Sequence, residues 1–214
     1  MPRPRRAVAA APDLSTRQRL LAAAAGEFAA RGFAGASIDR IAAAAGLNKA
    51  MIYYHFASKK DLYGEILRDM FAAVSVRVKA AAASDRPPDE KVRQFVVAIA
   101  TEAEARPHFP PIWFREIAEG GAHLDAETLR HVASVVGALR HIIEDGVRAG
   151  RFKPVNVFLV HAGIVGPLLL HFVASGALRK RLQKAGVPVA ENTRDEVLEH
   201  IFGVALATLE GRTS

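Results

Sequence analysis

The chain has 214 residues, half of them apolar and 24% charged, with no cysteine. That length suits one large domain or a small module joined to a larger one, and the apolar share excludes a disordered chain. The missing cysteines exclude a disulfide framework, a thiolate metal cluster and a thiol nucleophile, while 29 basic against 22 acidic residues, a formal +7, points to an acidic partner.

Ten basic but only three acidic residues fall within positions 1–60, which leaves 19 of each sign in the rest of the chain. The excess therefore belongs to one end. That is the electrostatic footprint of a small nucleic-acid-binding module, although a membrane-surface anchor would carry the same bias. The opening Met1-Pro2-Arg3-Pro4-Arg5-Arg6 has the charge of a signal-peptide start, but the apolar run behind it ends at Pro12-Asp13, too early for an export signal. Residues 1–14 read as a flexible basic arm, either a minor-groove contact through Arg3, Arg5 and Arg6 or a solubilising tail.

Helices are predicted nearly throughout, with no strand-period segment, hairpin turn or internal repeat, so the fold class is all-α. Ser15 and Gln18 form a capping box ahead of Leu20, Leu21, Ala24, Ala25 and Phe28, and this first helix, over 16–31, stops at Gly32. Ser37 is placed to cap a short second helix that turns Ile38, Ile41 and Ala42 inward and ends at Gly46. Asn48 caps a third through His55. Ser58 with Asp61 then opens a longer fourth carrying Leu62, Ile66, Met70 and Phe71.

Ser84-Asp85-Arg86-Pro87-Pro88 breaks the chain before an amphipathic helix with Val92, Phe95, Val96 and Ile99. A short helix bearing Trp113, Phe114 and Ile117 follows the prolines at 107, 110 and 111. A long one with Leu129, Val132, Val136, Leu139, Ile143 and Val147 then closes at Gly150. Val155 to Leu178 lacks Asp, Glu, Lys and Arg, which is long enough to tempt a membrane-span reading. Its polar residues, three glycines and Pro167 favour a buried helix instead, kinked near 163–167. The last helix is expected over about 194–209.

The chemistry concentrates in Ser37 to Lys60. Two short helices around Ala45-Gly46-Leu47 make a helix-turn-helix, whose second helix can lie in a major groove. Ile52 and Phe56 share one face with i, i+4 spacing, which turns Lys49, Ala50, Tyr53 and Tyr54 elsewhere. Tyrosine hydroxyls, the His55 ring and Lys59 suit phosphate oxygens; Lys49 suits guanine, and Ala50 and Met51 suit thymine methyls.

The run Gly46-Leu47-Asn48-Lys49-Ala50-Met51-Ile52-Tyr53-Tyr54-His55-Phe56-Ala57-Ser58-Lys59-Lys60-Asp61-Leu62 closely resembles the recognition-helix signature of the TetR family of bacterial transcriptional regulators. Phe28, Gly32, Phe33, Ser37, Ile38, Ile41 and Ala42 fit that family's first two helices in order and spacing. The resemblance implies an all-helical homodimer of about nine helices per subunit, the last two forming a four-helix bundle across the dimer axis. It implies a helix-turn-helix domain over 15–60 and an effector-binding and dimerisation domain over 61–214. Ser37, Lys49, Tyr53, Tyr54, His55 and Lys59 fall where members commonly touch DNA. Two departures are Met51, where a small hydroxyl residue is usual, and Asp39, which is no basic base-reader.

If that architecture holds, Phe95, Phe109, Trp113, Phe114, Leu139, Ile143 and Phe158 surround an effector cavity, with His108, Glu116 or His131 to orient a ligand. Phe109, Trp113, Phe114, His131 and Phe158 are the leading candidates, with plain core packing as the alternative. No nucleophile elbow, phosphate loop, dinucleotide fingerprint or His-Glu-x-x-His is present, so no enzyme, no cofactor and no metal is expected. Histidines 131 and 141, and 161 and 171, stand ten apart, well off a shared helix face. The expected partners are double-stranded DNA, a small-molecule effector and a second copy of the chain, in the cytoplasm and without a membrane. A scaffold that binds small molecules but not DNA, or a peripheral membrane protein, are the competing readings.

Overall fold

Capping side chains and glycines set the helix ends, as a computed structural model describing residues 15–173, 176–188 and 192–212 makes explicit. The arm at 1–14 lies outside the described residues. The chain divides into two compact units at Tyr63/Gly64.

In the first unit, α1 (Thr16–Gly35) opens on the capping box: Gln18 N donates to Ser15 Oγ at 3.2 Å and Ser15 N to Gln18 Oε1 at 2.9 Å. The expected stop falls at Gly32, where the backbone leaves the helical conformation before a further short turn. Gly32 adopts φ 69°, ψ 175°, a region nearly closed to side chains, and the helix resumes for a last turn to Gly35. In α2 (Ile38–Ala45) the Ser37 hydroxyl makes no capping bond, contrary to expectation; the Ser37 N–H donates to Glu27 at 3.2 Å. Gly46, at φ 66°, ψ 35°, satisfies the end of α2 in the left-handed conformation. In α3 (Lys49–His55) the Asn48 side chain accepts from Met51 N at 2.9 Å. α4 (Lys59–Ala82) starts where Ser58 Oγ accepts from Asp61 N at 3.0 Å and the Asp61 carboxylate from Ala57 N at 3.1 Å. Leu20, Ala24, Phe28, Ile41, Ile52, Phe56 and Tyr63 form this unit's core, with the Phe28 and Tyr63 rings 4.6 Å apart.

The second unit takes the rest of α4 and α5 (Pro88–Ala105), α6 (Phe109–Ala118), α7 (Ala126–Arg148), α8 (Val157–Val173), α9 (Gly176–Lys184) and α10 (Arg194–Glu210). α5, α7 and α10 each pack on α8, and α5 also packs on α7 and α10. Phe95, Ile99, Ile112, Leu139, Ile142 and Leu168 are almost fully buried, each stabilising the unit by about 1.5–3 kcal/mol. Polar stitching reinforces the apolar contacts. The buried Glu102 accepts from Arg77 and Arg106, Lys91 pairs with Asp145 at 3.0 Å, and Arg93 reaches Glu199 while lying over the Phe202 ring.

All described elements are helical, ten against the nine expected. The additional one, α9, escapes sequence reading because Arg179-Lys180-Arg181-Leu182-Gln183-Lys184 has no apolar stripe. The expectation of a buried helix at Val155 to Leu178 needs correction too. α8 buries Val160, Ile164, Leu168 and Leu169 but exposes Phe158, Leu159 and Leu170, because its neighbours within the chain cover only one side. The helix runs unbroken through Pro167, and no described helix is long and apolar enough to cross a membrane. Leu129 and Ile117, named among the apolar residues of their helices, are exposed as well.

Candidate nucleic-acid interface and cavity

The short α3 is held from behind. Ile52 is 1% exposed and Phe56 2%, so the opposite face must point outward, and there Tyr53 is 50% and Tyr54 80% exposed. Lys49 and Ala50 are exposed at the helix's first turn, while Met51 and His55 are half-buried. The Tyr54 and His55 rings meet edge to face at 5.1 Å. This face offers hydroxyl, imidazole and ammonium donors beside one methyl, the set that a DNA groove and its flanking phosphates accept.

Two ion pairs and one lysine held by backbone carbonyls frame that face. Lys49 Nζ lies 3.0 Å from Asp39 on α2, and the hydrogen bond to that carboxylate raises the lysine's pKa. Asp39 is therefore a partner of the proposed base-reading lysine rather than a bystander. Arg40 donates to Glu27 and to the Gly35 carbonyl, both at 2.6 Å. Burial pushes the Glu27 carboxyl up, but Arg40 and the Ser37 N–H outweigh it and hold the group below its ordinary value. Lys59, expected to reach for phosphate, donates instead to the Phe33 carbonyl at 2.9 Å and the Ala36 carbonyl at 3.2 Å, over the Phe33 ring. The carbonyls released where α1 breaks and ends recruit its ammonium, a demand invisible in helix periodicity. Ser37 is half-buried, and its backbone N–H faces Glu27.

In the second unit, Phe71, Val74, Ile99, Phe109, Trp113, Val132, Val135, His161 and Val165 line a partly open cavity of about 30 Å³. Phe109 and Trp113, two of the candidates, line it; the others do not. Phe158 is 67% exposed on the uncovered side of α8, and Phe114 and His131 are half-buried but outside the lining. Periodicity placed these three on plausible helices without saying which neighbour each face meets. His161, one of four histidines that the sequence places in the core, at its rim or lining a pocket where one could bond a ligand, is the one titratable side chain in this lining; burial lowers its pKa and favours the neutral imidazole. Its place four residues before Val165 on α8 was the available signal.

Glu116, Glu119 and His123 bring three donor atoms within 4.8 Å of one another, a set able to hold a divalent cation. Glu116 is fully buried, and His123 meets it through Nδ1 at 2.9 Å and the backbone N–H at 3.3 Å. That bonding accounts for the buried carboxylate without an ion. Counting only histidine pairs missed the i, i+3, i+7 spacing.

Residues 20–66 match the profile of bacterial regulatory proteins of the tetR family, and residues 88–204 match the tetracyclin repressor-like C-terminal domain. The chain belongs to the TetR family. This TetR-family regulator is 31% identical to the transcriptional repressor NicS of Pseudomonas putida over 162 residues, 75% of this chain and 76% of that protein. It is 29% identical to the transcriptional repressor SCO4008 of Streptomyces coelicolor over 80% of this chain and 93% of the relative. Two solved structures share its fold. The TetR-family regulator PfmR of Thermus thermophilus aligns at 24% identity and TM-score 0.68 over 92% of this chain and 97% of that one. A tetR-family protein from Rhodococcus aligns at 20% and 0.72 over 92% and 98%. The chain is a helix-turn-helix DNA-binding transcriptional regulator.

Proposed function

We propose that this regulator is a non-enzymatic repressor that binds a palindromic operator as a homodimer and leaves it when a small molecule occupies the second unit. The observation that carries the DNA contact is the outward face of α3, with Lys49, Ala50, Met51, Tyr53, Tyr54 and His55 set against a rigid core of Ile52 and Phe56. Ser37 and, through the backbone it anchors, Lys59 support that face. NicS and SCO4008 carry the name repressor, which favours repression over activation.

A second copy of the chain is the occupant proposed for the uncovered apolar side of α8 and α10. Phe158, Leu159, Leu170 and Val204 are exposed there, and Leu159, Gly163, Val204 and Thr208 border one apolar groove. Two α8 and two α10 helices would bury these side chains as a four-helix bundle, the arrangement that the family resemblance implies. Effector release draws support from α4. That helix carries Phe71 and Val74 of the cavity lining and, at its start, Lys59 to Tyr63 of the first unit. A ligand shifts such an equilibrium only by its differential affinity for the two states. A cytoplasmic site of action follows from a chromosomal target.

Selecting fragments of the source genome with the purified protein tests the reading. Enrichment of a short inverted repeat is expected, with affinity falling steeply as salt rises. Uniform capture of all sequences overturns it.

A further inference from the structure

We infer that the effector is an uncharged, mostly apolar aromatic compound carrying one hydrogen-bonding group, which it places against His161. This deepens the effector reading above and rests on it. Eight of the nine lining side chains are hydrocarbon or indole, and neither a carboxylate nor an ammonium or guanidinium group is among them. A charged ligand would leave water without a counter-charge, a cost far larger than apolar contact returns. An imidazole is the single side chain there that can both donate and accept. Phe95 meets its ring edge to face at 6.5 Å, a contact that restrains the imidazole beside the cavity.

The lining also favours rings over chains. Phe71 meets Trp113 edge to face at 4.7 Å and Phe109 at 5.5 Å, so a third aromatic ring entering the cluster replaces ring contacts with ring contacts. A cavity of about 30 Å³ has room for only about one or two waters. Any organic ligand must therefore push Phe71 or Trp113 aside. Binding and displacement of α4 or α6 side chains become one event, which gives a ligand the differential affinity that release demands.

Trp113 is the chain's one tryptophan, so its emission reports on this cavity alone. The probes are toluene, p-cresol and p-toluate, equal in ring and methyl group and differing in having no polar group, a neutral hydroxyl or a carboxylate. With the full-length protein near neutral pH, p-cresol should shift Trp113 emission and bind at least about tenfold more tightly than either of the others. His161→Leu should bring p-cresol down to the level of toluene without weakening toluene. His161→Asn, which keeps a donor and an acceptor, should restore part of the preference, and thermal melting of each variant separates lost folding from lost binding. Tightest binding by p-toluate, equal binding by toluene and p-cresol, or no binding by any probe overturns the assignment. Operator affinity is measured in the same samples. If p-cresol binds selectively but the operator stays bound, the ligand class stands and effector release falls. If p-toluate binds best and releases DNA, release stands and the ligand class falls.

Discussion

The two units use their apolar residues in opposite ways. In the first, a small core centred on Phe28, Ile52 and Phe56 exists to hold a seven-residue helix still while its other face stays bare, with Tyr54 the most exposed large apolar side chain among the described residues. In the second, rings turn inward around a small cavity, and a hydrocarbon face is left uncovered on α8 and α10. Polar groups divide the same way. Around α3 they point to solvent, whereas Glu102, Glu116 and Ser75 of the second unit are buried and bonded within it. Recognition of a rigid, charged surface calls for fixed donors on the outside; recognition of a small apolar molecule calls for a core that can be parted.

The contrast breaks hardest at the uncovered face. Leu159→Asp with Val204→Asp should give a folded monomer in sedimentation and lower operator affinity by at least about a thousandfold, because each half-site is then bound without its neighbour. A stable dimer in that variant would remove the proposed interface. Next, Lys49→Ala with Tyr54→Ala should cost about 2–5 kcal/mol of operator binding with the melting temperature unchanged, since both side chains lie outside the core. Undiminished affinity would move the reading face off α3.

Two smaller effects sharpen the comparison within each unit. Gly32→Ala should destabilise the first unit by about 1–3 kcal/mol in urea melts, because a side chain is strained at φ 69°, ψ 175°. Asp125 caps α7 through Thr128 and pairs with Arg68. Burial raises its pKa, but the Thr128 bonds and Arg68 prevail and bring it from 3.8 down to about 2. Its contribution is therefore complete above about pH 4 and fades as pH falls towards 2. After allowing for partial exposure, Asp125→Asn should cost about 1 kcal/mol at neutral pH and progressively less in acid, as paired denaturation curves will register.

Legibility in the sequence follows the same divide. The first unit was readable nearly residue by residue because its signals are local: Ser15 and Asn48 cap, Gly46 turns, and Ile52 and Phe56 share a face. Lys59 and Ser37 departed from expectation because their partners, Phe33, Ala36 and Glu27, come from other helices. In the second unit, the helix positions other than α9 were legible, but only two of the nine cavity-lining residues were. Phe109 and Trp113 were placed at a cavity, whereas Phe71 and Val165 were not, since periodicity reveals that a face is apolar but not which helix it meets. Phe158 misled for the same reason. A side chain that one chain leaves exposed carries the same hydrophobic signal as one in the core.

The contact between Asp39 and Lys49 reaches beyond the fold. A lysine that travels with its own neutralising anion releases fewer salt ions when it meets a phosphate, so it contributes little to indiscriminate sticking along the chromosome. If Lys49 reads the operator as proposed, only a site offering it something better than Asp39 would draw it away, and the pair would lower the background against which the correct site must compete.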